Sequence, residues 1–334
     1  MPLYLGTTCI EKVAALQGGA AEPSLSKIVV RTAPIKTDYV VGDLIDTTGM
    51  VISVYIGDSM IVNTTEGWTI EPTTALSGTT AFTVIYTLNG ITKTATQAIA
   101  VSDYSTTFND NSWEIITKFA ALGRAKEIWT LGDTKSITIG GVDYDLQILD
   151  FDHYTLSATD EKYGNASYNG GTNKAAICLG LKDTLNTKYK YCNGYYAPNW
   201  HNSTLYTTLN NTIMPQFPEA LLSTIRLVSV DTYSSDTTYK TDDKIICPSS
   251  YEILGKNSSY RTKYANKEGT HYAYYAAGNS PKRNYNGTAS LYYTRSTHYS
   301  DDWRQGTCVI TTAGTNTNSQ AGSTASPITF VINI

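Results

Sequence analysis

Between Lys27 and Val101 the chain runs in short segments whose apolar residues fall on every second position, each segment closed by Gly, Pro, Asn or Asp. A period of two puts successive side chains on opposite faces, which is strand geometry and excludes a helix. IVVRTAP, DYVVGD, MVISVYIG, MIVNTTEG, WTIEPTT, TAFTVIYTLNG and ITKTATQAIAV each read as a strand or a strand edge. Asn89-Gly90, between the last two runs, supplies the two positive-φ residues that a tight hairpin turn requires. A succession of short strands joined by turns predicts a small all-β sandwich over residues 27–103. No cysteine pair is placed to staple it, so its expected core is Val29, Val41, Val51, Val54, Ile61, Trp68, Phe82 and Ile85.

The periodicity changes beyond the polar stretch at 102–112. In SWEIITKFAALGRAKEIW, residues Ile115, Ile116, Phe119, Ala120 and Leu122 recur at helical spacing, with Ser112 as N-cap and Gly123 as stop. SITIGGVDYDLQILDFDH then reads as a hairpin turning at Gly140-Gly141. STLYTTLNNTIMPQFPEALLSTI is a second helical region, broken by Pro215 and Pro218. RLVSVDTY and DKIICPSSYEILG read as strand followed by a loop or short helix, and the remainder, to the closing SPITFVINI strand, is turn-rich. Residues 104–334 are therefore expected to form an α+β domain. Residues 1–26, MPLYLGTTCIEKVAAL running into QGGAAEPS, read as an arm and linker that docks on a partner.

Tyrosine is distributed unevenly. Of 26 in 334 residues, only Tyr4, Tyr39, Tyr55 and Tyr86 precede residue 104. The densest stretch, from Tyr260 to Trp303, sets them among Ser, Thr, Asn, Gly and Arg, the mixture of binding surfaces that need large stiff rings and adaptable polar neighbours. The competing reading is that tyrosine is also a strand former. The contact set expected on the binding reading is Tyr272, Tyr274, Tyr275, Tyr285, Tyr293, Arg295, Tyr299, Asp302, Trp303 and Arg304, since Arg and Trp beside Tyr dominate interface energetics. Its alternative makes Trp303 a core ring and Arg295 a structural partner.

Other chemistry is sparse. A net charge of −4 with 16% charged residues offers no basic stripe for phosphates, so no nucleic-acid partner is expected. No stretch approaches the about 20 apolar residues of a membrane span, and no signal peptide is visible, which suggests a chain made in a cytoplasm and no membrane partner. Cys9, Cys178, Cys192, Cys247 and Cys308 show no metal-finger spacing and read as buried thiols, with a Cys178–Cys192 bridge as the alternative. The Asn-X-Ser/Thr matches at Asn63, Asn165, Asn202, Asn257 and Asn286 are what chance gives in so polar a chain. Hydrolase, metalloprotease and nucleotide-binding signatures are missing, so neither an enzyme nor a cofactor is expected. Asp150, Asp152 and His153 could hold a metal if both carboxylates face one side of a strand. Against this, one aspartate capping a turn and His153 bonding in the core is the simpler reading, and no metal is assigned. Asp242-Asp243-Lys244 reads as a turn with surface ion pairing.

Four resemblances sharpen the expectation. TAPIKTDYVVGDLIDTTGMVISV followed by GWTIEPTTALSGTTAFTVIYTLNGITKTATQAIAV resembles bacterial immunoglobulin-like domains, which serve as spacers and display modules. The series IWTLGDTKSITIGG with Trp129, ILDFDH, NWHNSTLYTTLNNTIMPQFPEALLSTIRLVSV, TDDKIICPSSYEILG and LYYTRS leading to SPITFVINI resembles, over 111–334, a domain of unassigned activity found in Gram-positive bacteria and their phages. Similar domains carry paired tryptophans before Arg-Ser where this chain has Tyr292-Tyr293-Thr294. The layout also resembles C-type-lectin-like modules, and LYLGTTCIEKV resembles the start of small phage structural proteins. Together these imply a homo-oligomeric virion protein held to other virion proteins by its arm, its distal domain binding a host cell-surface glycan or protein. The alternatives are a purely architectural capsid or tail component, a bacterial surface adhesin, or a glycan-active enzyme.

Overall fold

The computed structural model describes residues 24–194, 197–234, 237–255, 268–298 and 306–334. The N-terminal arm lies outside them, as do Tyr299, Asp302, Trp303 and Arg304 of the expected contact set. The fold is β-rich with few helices. It divides into two compact units at Tyr104/Ser105.

In the first unit the strands are β1 (Leu25–Thr32), β2 (Asp38–Val40), β3 (Val51–Ile56), β4 (Ser59–Thr64), β5 (Trp68–Glu71), β6 (Ala81–Leu88), β7 (Ile91–Ala98) and β8 (Ala100–Ser102). They form two antiparallel sheets, β1-β3-β4 and β5-β6-β7, with a parallel pair β2-β8. Both sheets contribute to one core: Ile28, Ile52 and Val54 from the first, Phe82 and Val84 from the second, with Tyr39, Met50 and Ile99 beside them. Asn89 and Gly90 adopt φ of 49° and 79° where β6 turns into β7, and Leu88 pairs with Ile91.

Several expected core residues point elsewhere. Val29 is 42% and Ile61 39% exposed. Val29 stands between Ile28 and Val30, which face inward, so alternation turns it out. Ile61 is the extra residue where the β3–β4 register slips, since Val54 pairs with Val62 and Tyr55 with Met60. Val51 and Ile85 lie an odd number of residues from Val54 and Phe82, so they take the opposite face and are only half-buried, and Val41 is half-buried too.

The second unit opens with the helix Trp113–Ala121, whose N-cap Ser112 accepts the Ile115 N–H at 3.2 Å. Its buried face is Trp113, Ile116, Phe119 and Ala120, whereas Leu122 is exposed. Strands follow as β9 (Thr134–Ile139), β10 (Val142–Phe151), β11 (Ile177–Leu181), β12 (Tyr189–Lys190), β13 (Val228–Ser234), β14 (Thr237–Asp243) and β15 (Ile245–Ile246). Then come β16 (Arg283–Tyr285), β17 (Thr288–Ser290), β18 (Tyr292–His298), β19 (Gly306–Ile310), β20 (Asn316–Gln320), β21 (Ala325–Ser326) and β22 (Val331–Asn333). The central sheet has the order β15-β22-β11-β10-β9, so SPITFVINI ends as a strand inside it. The second helical region is broken into Thr204–Thr208, a π-type turn, a 3-10 turn at Met214–Gln216 and Glu219–Leu222, with Pro215 and Pro218 at the breaks. β18 and β19 carry the chain into and out of residues 299–305.

Candidate functional site

The short helix Ser250–Leu254 carries the central residue of the site. Ser249 and Glu252 form a capping box: the Ser249 hydroxyl accepts the Glu252 N–H at 3.0 Å and the Glu252 carboxylate accepts the Ser249 N–H at 2.8 Å. This folds the carboxylate back toward the helix start, where it meets Arg295 of β18. Arg295 donates Nη1 to Oε2 at 2.5 Å and Nη2 to Oε1 at 2.8 Å, a two-pronged pair with both side chains fully buried. Tyr154 donates to Oε1 at 2.8 Å and Tyr272 to Oε2 at 3.3 Å, and the two phenols lie 2.7 Å apart.

The two Nη groups of Arg295 also donate to the backbone: Nη2 to the carbonyls of Glu268 and Asp231, Nη1 to that of Cys247. Ser296, the next residue, donates to the buried Glu268 carboxylate at 2.5 Å and accepts the Ser250 N–H at 3.0 Å. The guanidinium thereby ties together the chain on both sides of 256–267 and the β18 stem that leads into 299–305. Burial pushes Glu252 toward its neutral form, but the charge and bonds of Arg295, with the nearby His153 ring, hold it well below the usual carboxylate range. Arg295 is correspondingly raised. The phenols of Tyr154 and Tyr272 are pushed far up, first by burial and then by the Glu252 charge, and stay protonated donors.

His153 completes the cluster from the turn after β10. Its side chain is 2% exposed, with Nδ1 2.8 Å from Asp150 Oδ2 and Nε2 3.9 Å from Glu252 Oε1. Asp150 Oδ2 also accepts the Ala273 N–H at 3.0 Å. Asp152 does not share this site. It follows the end of β10 with φ of 55° and turns to Lys126 and to Asn169. The two carboxylates expected to flank a metal therefore diverge, and among the described residues no group of three or more His, Cys, Asp or Glu is arranged for an ion.

The outward-facing tyrosine surface is overturned for most of its described members. Tyr272, Tyr293 and Arg295 have no exposure and Tyr275 has 7%. Tyr275 accepts from Arg283 at 2.8 Å, and Tyr293 donates to the carbonyls of Thr324 and Ala321. Tyr272 and Tyr275, with Tyr154, Tyr168 and Tyr292, pack into a core with Leu149, Leu156, Val228, Val230, Ile246, Ile253, Ile310 and Val331. The aliphatic partners that the tract itself lacks come from strands far away in sequence. Only Tyr274 and Tyr285 are half-buried, the latter with the Lys188 ammonium 5.0 Å from its ring centre.

One further expectation is corrected. Asp243 does not form a surface turn: it is buried, and its Oδ2 accepts from Trp200 Nε1 at 3.1 Å and Thr241 at 2.9 Å. Cys178 and Cys192 are buried and not joined by a disulfide, in keeping with the reading of the cysteines as buried thiols. Glu252 and Glu268 were missed, although the Ser249-x-x-Glu252 spacing is a legible capping box. A groove beside the start of β10 and the end of β11 is lined by Asp143, Tyr144, Asp145, Leu181, Lys182 and Asp183. Its carboxylates are engaged by Thr138, by Ser136 and by the Asn284 N–H.

Residues 176–329 match a family model described as a domain of unknown function (DUF6273). No curated protein matches the chain. The matched span holds Glu252, Glu268, Tyr272 and Arg295 but not Asp150, His153 or Tyr154. It is thus narrower than the 111–334 over which the sequence resemblance was expected.

Proposed function

We propose that the chain is a virion structural protein of a phage of Gram-positive bacteria, in which an immunoglobulin-like spacer carries a C-type-lectin-like display domain that binds the host surface. The observation that carries this reading is the grip of Arg295 on Glu252 and Glu268. Such a buried, charge-assisted clamp fixes the β18 stem, and a scaffold of fixed stems is how recognition residues are held on connecting segments. Four of the expected contact residues, Tyr299, Asp302, Trp303 and Arg304, lie outside the described residues, in the stretch of sequence that follows this stem. Aromatic rings and Arg beside Asp suit stacking on a sugar face with hydroxyl recognition, or anchoring in a protein partner. The resemblances of the N-terminal arm and of the first unit supply the virion and spacer parts of the proposal.

The test is binding of the labelled full chain to Gram-positive cells, comparing wild type with Trp303→Ala/Arg304→Ala. Loss of a hot-spot pair is expected to weaken binding at least about tenfold, with thermal unfolding unchanged. Undiminished binding by a folded variant, or no binding by the wild type to any host envelope, removes the display reading and leaves the purely architectural one.

A further inference from the structure

The cluster around His153 bridges two parts of the second unit. Asp150 and His153 come from β10 and the turn after it, in the central sheet. Glu252 comes from the helix Ser250–Leu254, and Tyr272 and Ala273 from the chain entering the helix Ala273–Ala276. The imidazole sits between the two carboxylates, and its ring lies 4.4 Å from that of Tyr272 and 4.6 Å from that of Tyr154, centre to centre. We propose that His153 is a pH-operated latch, whose protonated imidazole holds the Ser250–Leu254 helix and the Tyr272–Ala276 segment onto the central sheet and whose deprotonation loosens them.

The charge arrangement supports the latch. The ionisable groups that face the cluster are Asp150 from β10, Cys178 from β11, Glu252 from the short helix, Tyr154 and Tyr272 beside the ring, and Arg295 from β18, with Glu268 beyond it. Arg295 is committed to Glu252, and the Asp150 carboxylate has the His153 imidazole 2.8 Å away. A neutral imidazole can still donate one hydrogen bond from Nδ1 but gives no charge to either carboxylate, leaving buried negative charge less compensated. Burial opposes the charged ring, but the bond to Asp150 and the charges of Asp150 and Glu252 outweigh it and raise His153 above its ordinary value of 6.5. A group raised on folding contributes fully below its unfolded value and loses its contribution as pH rises through the folded one. The latch is therefore closed in mild acid and opens on the alkaline side.

Two amides report directly on it: Ala273 N–H, bonded to Asp150 Oδ2, and Tyr272 N–H, bonded to the Glu252 carbonyl at 2.9 Å. Hydrogen-exchange protection of both, corrected for intrinsic rates, is followed in the full chain from about pH 5.5 to about pH 9, a range that brackets histidine titration. The His153 ring is followed by NMR in the same samples. The expected result is a several-fold fall in protection whose midpoint coincides with a ring titration above 6.5, and loss of that step in His153→Gln. The proposal is overturned if the ring titrates at or below its ordinary value, if protection does not change with pH, or if the step survives in His153→Gln. Should that variant fail to fold, disagreement between the ring and amide midpoints in the wild type overturns it equally.

Discussion

Arg295 and Glu252 show what a single residue decides here. Each is fully buried, and each is the other's charge partner, so removing one strands the other in a low dielectric. Glu252→Ala is expected to cost about 3–5 kcal/mol of stability in denaturant unfolding, whereas the exposed pair Lys118–Glu114 is expected to contribute under about 1 kcal/mol. The pH profile follows from the same cluster. Glu252 is depressed, so its contribution is present above the ordinary carboxylate range and is lost as pH falls; His153 is raised, so its contribution is lost as pH climbs past 6.5. Stability measured by denaturant midpoint should therefore fall off on both the acid and the alkaline side, with His153→Gln flattening chiefly the alkaline limb. The tyrosines belong to this scale as well. Composition alone leaves a phenol equally suited to a surface and to a core, because its ring is apolar and its tip needs one hydrogen bond. The core supplies that bond to Tyr272, Tyr275, Tyr292 and Tyr293.

At the scale of elements, local chemistry was the better guide. The Asn89-Gly90 and Gly140-Gly141 turns, the Ser112 cap and the proline breaks at 215 and 218 rest on interactions within a few residues, and such features are legible in sequence. The β3–β4 bulge was not, because a register slip depends on both strands at once, and it is what turns Ile61 outward. Gly255 gives a test at this scale. It ends the short helix with φ of 61°, its N–H bonded to the Tyr251 carbonyl at 2.8 Å, and a Cβ there would run into the His271 ring. Gly255→Ala combines left-handed strain with that clash and should destabilise by more than about 1 kcal/mol, read as a lowered Tm. Gly278→Ala has a positive φ but open space around it, and should cost less.

For the molecule as a whole, the two units with separate cores should respond separately. Phe82→Ala empties the first core and is expected to cost about 3–5 kcal/mol there. Calorimetry should show the transition of the first unit lowered and that of the second unmoved. In the second unit β22 is hydrogen-bonded between β11 and β15, so the central sheet is incomplete until the last residues arrive. Truncation after Pro327 is expected to abolish the cooperative unfolding of that unit while sparing the first.

The sequence by itself determined the β-rich first unit, the change of periodicity near residue 104, and most turns and caps, because alternation, capping and positive-φ preferences act over a few residues. Only the tertiary structure decided which tyrosines are core, that Arg295 meets Glu252, and that His153 faces Asp150 rather than sharing a site with Asp152. Arg295 meets Glu252 across 43 residues, and the same cluster ties Tyr154 to Glu252 and Ala273 to Asp150 across 98 and 123; burial, which sets both the ring environments and the shifted titrations, exists only once the strands that enclose them have assembled.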